Sequence, residues 1–513
     1  MSASFRLCRR PGRGEDLRWE LDGWWDPADA FEALYRDSAH AIWLDAGPGA
    51  RAGFSYLAGP TERSRFVTAS VMDGTVTVTV PGDPLTPPVT SIGTVFDFLN
   101  TDLAAPGGPP GGEATGDAAG PGSRRAGDFT LGWVGWFGYE LGAQTLGVPQ
   151  PPSRYPDAAL LEVDRMLAFD HESRTVTLLA RRQPGEPARL AEDWARAVRA
   201  RRDSAPAERH PLSSAGMVAA ADVAPEQPGS PPRARWRHGG ADYAALIERC
   251  QAFIAAGDAY QLCLTNEITV DVRPHPVVAY HRLRAGSPSH HGGLLRFGDT
   301  ALLSASPEQF LTVSTDGRLS SKPIKGTRPR SADPATDARL RADLAASDKE
   351  RAENLMIVDL MRNDLGRVAE LGTVAVTRLL DVESYAHVHQ LVSTVEARLA
   401  AGLTGTDAVR SCFPAGSMTG VPKQSAVSLL RGLEDGPRGI YSGAFGYFGR
   451  DGAVDLAMVI RSIVLDPAGA SIGTGGGITT LSVAAEEVEE TRIKAAALLT
   501  VLGIGPDLVT GAG

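Results

Sequence analysis

The stretch Asp348-Lys-Glu-Arg-Ala-Glu-Asn-Leu-Met-Ile-Val-Asp-Leu-Met-Arg-Asn-Asp364 opens polar and continues with an apolar stripe, and its spacing predicts a helix. Asp348 is placed as its N-cap, and Leu355, Met356 and Ile357 begin the stripe. Glu350 and Glu353 stand three apart and so share one helix face. Near the other end of the chain, Glu486-Glu-Val-Glu-Glu-Thr-Arg-Ile-Lys494 predicts a second helix in which Glu487 and Glu490 repeat that spacing. If the two faces meet, four carboxylates converge. Such a cluster requires a cation, and hard oxygen donors completed by water and substrate oxygens suit Mg2+. On spacing alone the plainer reading is two solvated helix surfaces.

Around these helices the chain has 513 residues, 43% hydrophobic and 22% charged, with a net charge of −10. That is enough for two to four domains or one large α/β enzyme with a sizeable core. The acidic balance argues against nucleic acid as the main partner. No apolar run approaches the ~18 residues of a membrane span, and the first ten residues lack an apolar leader segment, so a cytoplasmic protein with no membrane association is expected. The four cysteines, Cys8, Cys250, Cys263 and Cys412, are too scattered for a zinc site or a disulfide scaffold.

Of the 51 basic residues only five are lysine: Lys322, Lys325, Lys349, Lys423 and Lys494. A coding bias toward arginine explains the scarcity. Under such a bias the remaining lysines mark places where a compact cation, or an amine able to lose its proton, is needed. Two lie in Ser321-Lys-Pro-Ile-Lys-Gly-Thr-Arg-Pro-Arg330, where Pro and Gly put Lys325 at a tight bend. A lysine nucleophile must be neutral, and Arg328, Arg330 or a metal could lower its pKa. The alternative is a basic turn that binds an anion.

Two Gly-, Ala- and Pro-rich stretches, 104–127 and 203–235, read as an insertion and a linker. They divide the chain into an N-terminal region over 1–202 and a C-terminal region over 236–505. Thr75-Val80 and Thr175-Ala180 alternate as half-buried strands, and Gly132 to Glu140 spaces its glycines for close backbone packing. The C-terminal region reads as helices over 242–256, 348–361 and 484–502 with strands over 301–305, 309–314, 443–448 and 455–464. Together this predicts α/β or α+β architecture with largely antiparallel sheets packed with helices. Gly475-Gly-Gly477 reads as a turn or as a backbone cradle for a carboxylate, and Phe413 to Lys423 as a loop opening an anion-binding helix. Arg461, inside the apolar run Leu456 to Leu465, requires an acidic partner. His387 and His389 alone imply little.

The chain resembles the chorismate-utilising enzymes: anthranilate synthase component I, aminodeoxychorismate synthase component I, and the isochorismate and salicylate synthases. The strings that carry the resemblance are Ser306-Pro-Glu308, Pro323-Ile-Lys-Gly-Thr327, Glu353-Asn354 leading to Asp359-Leu-Met-Arg-Asn-Asp364, His389 with Val392-Ser393, Phe413 to Lys423, Tyr441-Ser-Gly-Ala444, Arg461, Gly475-Gly-Gly477 and Glu489-Glu-Thr491. They run in family order over about 240–500; Leu44-Asp45, Phe54-Ser-Tyr56 and Gly132 to Glu140 match more weakly.

The resemblance implies the anthranilate synthase component I-like fold and a Mg2+ ion that holds the ring carboxylate of chorismate. Its ligands would be Glu353 and Glu490, with Glu350 and Glu487 in support. It further implies that Glu308 is a general acid for the leaving 4-hydroxyl and that Tyr441, Arg461 and the amides of Gly475, Gly476 and Gly477 hold carboxylates. Thr327 would line the ring site and His389 would stand beside the reacting ring. Water-using members carry a lysine base where this chain has Gln261, which cannot act as a base, so ammonia chemistry is favoured. Anthranilate synthases read Pro-Ile-Ala-Gly-Thr, whereas Lys325 is similar to the covalent lysine of the 4-aminating branch. Anthranilate synthase component I is the alternative. No cysteine sits in a glutaminase elbow, so a separate glutamine amidotransferase subunit is implied as the ammonia source. Members that bind tryptophan read Leu-Asp-Ser or Leu-Glu-Ser where this chain has Leu44-Asp45-Ala46, which counts against a tryptophan site.

Overall fold

Thr75–Thr79, Thr175–Arg182 and Gly132–Phe137 form strands as their patterning predicts, within two large sheets. The computed structural model describes residues 14–505 apart from 84, 105–128, 183–184, 188, 205–232 and 386–387. Cys8, His387 and most of the insertion 104–127 and the linker 203–235 lie outside the described residues.

Among the described residues each sheet has 12 strands, and adjacent strands run antiparallel. Both sheets draw on both regions of the chain. In the first, His40–Asp45 pairs with His291–Phe297. In the second, Gly132–Phe137 pairs with Ala444–Gly449. The sheets stack face to face over a core that includes Trp136, Phe297, Phe445 and Leu295. Helices cover the outer faces: Val95–Leu103, Asp348–Gly366 and Gly405–Cys412 lie on one sheet, and Pro27–Tyr35, Pro276–Gly286 and Ala484–Val501 on the other. Gly132–Phe137 is therefore buried on both sides, Trp133 and Phe137 under the helices and Val134 and Trp136 between the sheets. No described helix is long and apolar enough to cross a membrane.

Twice the chain passes from one sheet to the other close to the same place. Thr300–Ser306 ends in the first sheet and Gln309–Val313 begins in the second, which leaves Glu308 at the passage. The run expected as one strand over 455–464 is two strands, Val454–Met458 and Ser462–Asp466, in different sheets. Arg461 stands in the break with φ +51, so it is not a strand residue. The passages are stitched together by Met458 N–H donating to Glu308 O (3.0 Å) and Ala305 N–H to Arg461 O (3.1 Å).

Beneath this corner lies the buried Arg438. It donates to both oxygens of Glu434 (2.7 and 2.8 Å), to Met418 O (2.6 Å) and to Cys263 O (2.9 Å), and it stacks on the Tyr139 ring at 4.1 Å. Its own backbone N–H donates to Glu140 Oε1 (2.8 Å), while Glu140 Oε2 has no partner. Burial pushes the Glu140 carboxyl up to about 7. Because the folded protein then holds a proton that the unfolded chain releases near pH 4.5, stability falls as pH rises from there to about 7. Glu140→Gln is expected to remove that slope, leaving the midpoint of urea unfolding nearly unchanged at pH 5 and raised at pH 8.

Candidate active site

The two glutamate-bearing helices meet. Ser347, not Asp348, caps the first, its hydroxyl accepting from Glu350 N. Lys349 Nζ reaches across to Glu487 Oε1 at 3.0 Å, so the E-x-x-E faces oppose each other instead of facing solvent. Glu353 and Glu487 are buried, and Glu350 and Glu490 are half-buried. Each carboxylate but one is engaged: Glu487 by Lys349, Glu490 by Lys494 (2.6 Å) and Glu350 by Arg328 (3.2 Å). Glu353 has no hydrogen-bond partner among the described residues, and burial holds its carboxyl above the usual range against the pull of Lys325 and Lys349.

Lys325 lies on the edge strand Ile324–Pro329, paired only with Val388–Arg398. The register breaks between Lys325 and Thr327, and Gly326 takes φ +81 with the Glu350 carboxylate where a Cβ would stand. Asn354, buried beside Glu353, donates to Pro323 O (3.4 Å) and accepts from Ser393 Oγ (2.5 Å), which anchors the chain just before the bend. The bend turns the Lys325 amine inward. Burial alone would lower its pKa, but Glu353, then Cys263, Glu308 and Glu490 outweigh it and hold the amine protonated. Arg328 and Arg330 do not supply the lowering charge expected of them. Arg328 turns to Asp343 (2.8 Å) and Glu350, and Arg330 to Asp337 (2.9 Å) and Tyr385 O. The bay therefore surrounds the amine with carboxylates, not guanidiniums.

Glu308 completes the ring of acids. It is buried, and its carboxyl is raised by burial, with Lys325 and a hydrogen bond from Ser417 opposing the rise. Gly475–Gly477 is no turn: it lies within the strand Gly469–Ile478, paired with Gln261–Val270. Past Ile472 that strand has no neighbour on its other side, so alternate backbone groups face the bay. One of them, Gly475 O, accepts from Lys494 Nζ at 2.8 Å. Gln261 lies over Gly477 and close to Glu353, fully buried, with Oε1 unpartnered. The Tyr441 ring packs flat against Gly473, where any Cβ would collide with it. Arg461 has no ion-pair partner among the described residues; its titratable neighbours are the Tyr441 hydroxyl and the Glu490 carboxylate.

One further expectation resolves differently, and two more residues can be placed. Lys423 does open the helix Lys423–Arg431, but its amine is buried on Asp364, Cys412 O (2.9 Å) and Pro414 O (2.8 Å), so it is a structural tie and not an anion site. His389 has both ring nitrogens engaged, by Ser384 Oγ (2.8 Å) and Asp337 Oδ1 (3.0 Å). Thr327 is exposed at the edge of the bay. Residues that sequence reasoning left unassigned are Cys263 and Ser417 in the wall and Asn354 and Ser393 behind the bend. Of these, Asn354, Ser393 and Ser417 stand within strings that carry the family resemblance.

The donor set in the bay is all carboxylate, and the buried Glu353 has no hydrogen-bond partner among the described residues, which fits a hard divalent cation. No three described His, Cys, Asp or Glu side chains form a cage. Mg2+, however, is commonly held by one or two carboxylates together with water and substrate oxygens.

Residues 112–500 match the family described as chorismate binding enzyme. The chain is 43% identical over 486 residues to the aminodeoxychorismate synthase of Streptomyces pristinaespiralis, covering 93% of this chain and 64% of that protein. It thus spans less than two thirds of that relative. It is 36% identical over 476 residues to anthranilate synthase component 1 of Streptomyces coelicolor, covering 90% of this chain and 88% of the other. The crystal structure of anthranilate synthase component I from Streptococcus pneumoniae superposes with a TM-score of 0.69 at 26% identity, covering 88% and 92% of the two chains. Gly473→Ala is expected to force the Tyr441 ring from its place and to cost about 1–3 kcal/mol in thermal or urea denaturation.

Proposed function

The chain belongs to the chorismate binding enzyme family, and from that premise we propose that it aminates chorismate at C4 to give 4-amino-4-deoxychorismate. The observation that carries this reading is the Lys325 amine held among Glu308, Glu353 and Glu490, beside a glutamine in place of a lysine base.

A Mg2+ ion, held by Glu353 and Glu490 with Glu350 and Glu487 in support, would supply the charge that fixes the ring carboxylate and offsets the acids keeping Lys325 protonated. Tyr441, the unpaired Arg461 and the open-edge amides of Gly475 and Gly477 orient the carboxylates of the substrate, while the Gly476 amide faces the partner strand. Thr327 lines the ring site from the edge strand. Glu308 and Lys325 share one proton between them: with the proton on Glu308, the carboxyl can protonate the departing 4-hydroxyl and the amine is free to attack. Lys325 forms a bond to C2 as both ring double bonds shift toward C4 and the C4–O bond breaks, the hydroxyl leaving as water with the Glu308 proton. Ammonia then bonds to C4, the double bonds return, and the C2–N bond breaks to regenerate the lysine. Chorismate and ammonia become 4-amino-4-deoxychorismate and water. Gln261 offers an acceptor oxygen but no base, so water is not activated there. A glutamine amidotransferase partner supplies the ammonia, in the cytoplasm.

Chorismate, Mg2+ and ammonium are expected to yield 4-amino-4-deoxychorismate by mass spectrometry; anthranilate as the product would overturn the reading. Lys325→Ala is expected to lower amination by orders of magnitude while calorimetry still detects chorismate binding. Lys325→Arg should fail equally, because a guanidinium stays protonated.

A further inference from the structure

The strand that carries Lys325 is poorly anchored by ordinary means. It lies at a sheet edge, none of its residues from Ile324 to Pro329 is buried, and its register is broken beside the lysine. The helix packed against it, Pro334–Ala346, contributes one buried residue, Leu344. Apolar burial therefore gives little hold on either element.

What fixes them is polar: Arg328 is tied to Asp343 and Glu350, and beyond it several hydrogen bonds converge on one carboxylate. Asp337, in the first turn of that helix, accepts from Arg330 Nε (2.9 Å) and Nη2 (3.1 Å), from Ser331 N–H (2.9 Å) and from His389 Nε2 (3.0 Å). Arg330 and Ser331 follow directly on the edge strand, and His389 lies in its partner, opposite Arg328. One carboxylate thus clamps the end of the lysine strand to the strand it pairs with. His389, buried and tied through its other nitrogen to Ser384, is the fixed point of the clamp.

We propose that Asp337 is a positioning residue for Lys325: by bridging Arg330, Ser331 and His389 it holds the edge strand in the one register that aims the amine into the bay. The proposal deepens the amination reading and rests on it for its kinetic consequence. On this view His389 acts through the framework and not as an acid or base. A slip of about 1 Å in an attacking group costs roughly 10²-fold in rate without weakening substrate binding.

The test is Asp337→Asn, which keeps the shape and loses the charge, alongside Asp337→Glu. For Asp337→Asn, kcat for amination is expected to fall by about 10²-fold with KM for chorismate little changed. Hydrogen exchange should accelerate over 324–331 and 388–390 and stay unaltered in the Ala484–Val501 helix. Asp337→Glu should restore much of kcat. Unchanged kcat and unchanged exchange would overturn the proposal. So would a parallel loss of kcat, KM and thermal midpoint with exchange raised throughout, which marks general destabilisation. If the unsubstituted protein makes no 4-aminated product, the amination reading fails, and the exchange measurement still decides whether Asp337 holds the strand.

Discussion

Carboxylates can be drawn together in a protein interior only if positive charge comes with them, and the bay is organised by that requirement. Glu350, Glu353, Glu487 and Glu490 arrive on two helices, and Glu308 on a passage between sheets. Lys349, Lys494, Lys325 and Arg328 are distributed among them. In a chain that otherwise uses arginine, three of its five lysines stand here. Two of the three reach backward or across to a glutamate, one also taking a backbone carbonyl. A compact ammonium on a flexible stem suits that task better than a planar fork. The third, Lys325, forms no ion pair among the described residues and feels the charge of Glu353, Glu308 and Glu490 together.

The second constraint is topological. Two antiparallel sheets stacked face to face leave few places where a polar side chain can be both rigidly held and open to a ligand. The passages between them provide such places. Glu308 and Arg461 occupy two passages cross-linked by backbone hydrogen bonds, so a carboxyl group and a guanidinium are fixed relative to each other by the main chain. The glycine-rich strand adds a third element of the same kind. Its pairing to Gln261–Val270 makes it rigid, its missing side chains admit the Tyr441 ring, and its unpaired side leaves backbone groups for a ligand. Beneath all three, Arg438 ties Cys263, Met418 and Glu434 together without contacting the bay's acids.

How much of this the sequence discloses depends on whether the deciding partner is local. Helix 348–366 is legible because its acidic face and its apolar stripe lie within nineteen residues. Antiparallel pairing is legible in Thr75–Thr79 from alternation alone. The break at Arg461 is not: strands buried on both faces read as continuous apolar runs, and the isolated charge is the one trace of the passage. Three consecutive glycines carry no pattern at all, so Gly475–Gly477 reads as a turn until its partner strand is known. Lys423 reads as an anion binder because Asp364, which neutralises it, is remote in sequence. Arg328 and Arg330 mislead in the opposite sense. They are near Lys325 in sequence, but the bulge and the strand's alternation turn them to Asp343, Glu350 and Asp337.

That last difference changes the chemistry one should ask of the lysine. If guanidiniums surrounded it, its amine would be neutral at rest and permanently reactive. Surrounded by acids, it is held as an ammonium, and on the proposed reading it would become a nucleophile only when the negative charge around it is answered by something else. A buried glutamate, Glu308, whose own carboxyl is raised by burial, is among its charged neighbours. On the proposed amination reading, acid and nucleophile would become competent together, by one proton moving between these two side chains. Substrate and cation, the partners that would rebalance the charge, are the ones whose presence should set that movement in train. An arrangement of this kind keeps a reactive amine silent in an empty site, and it accounts for a lysine among carboxylates better than either group would be accounted for alone.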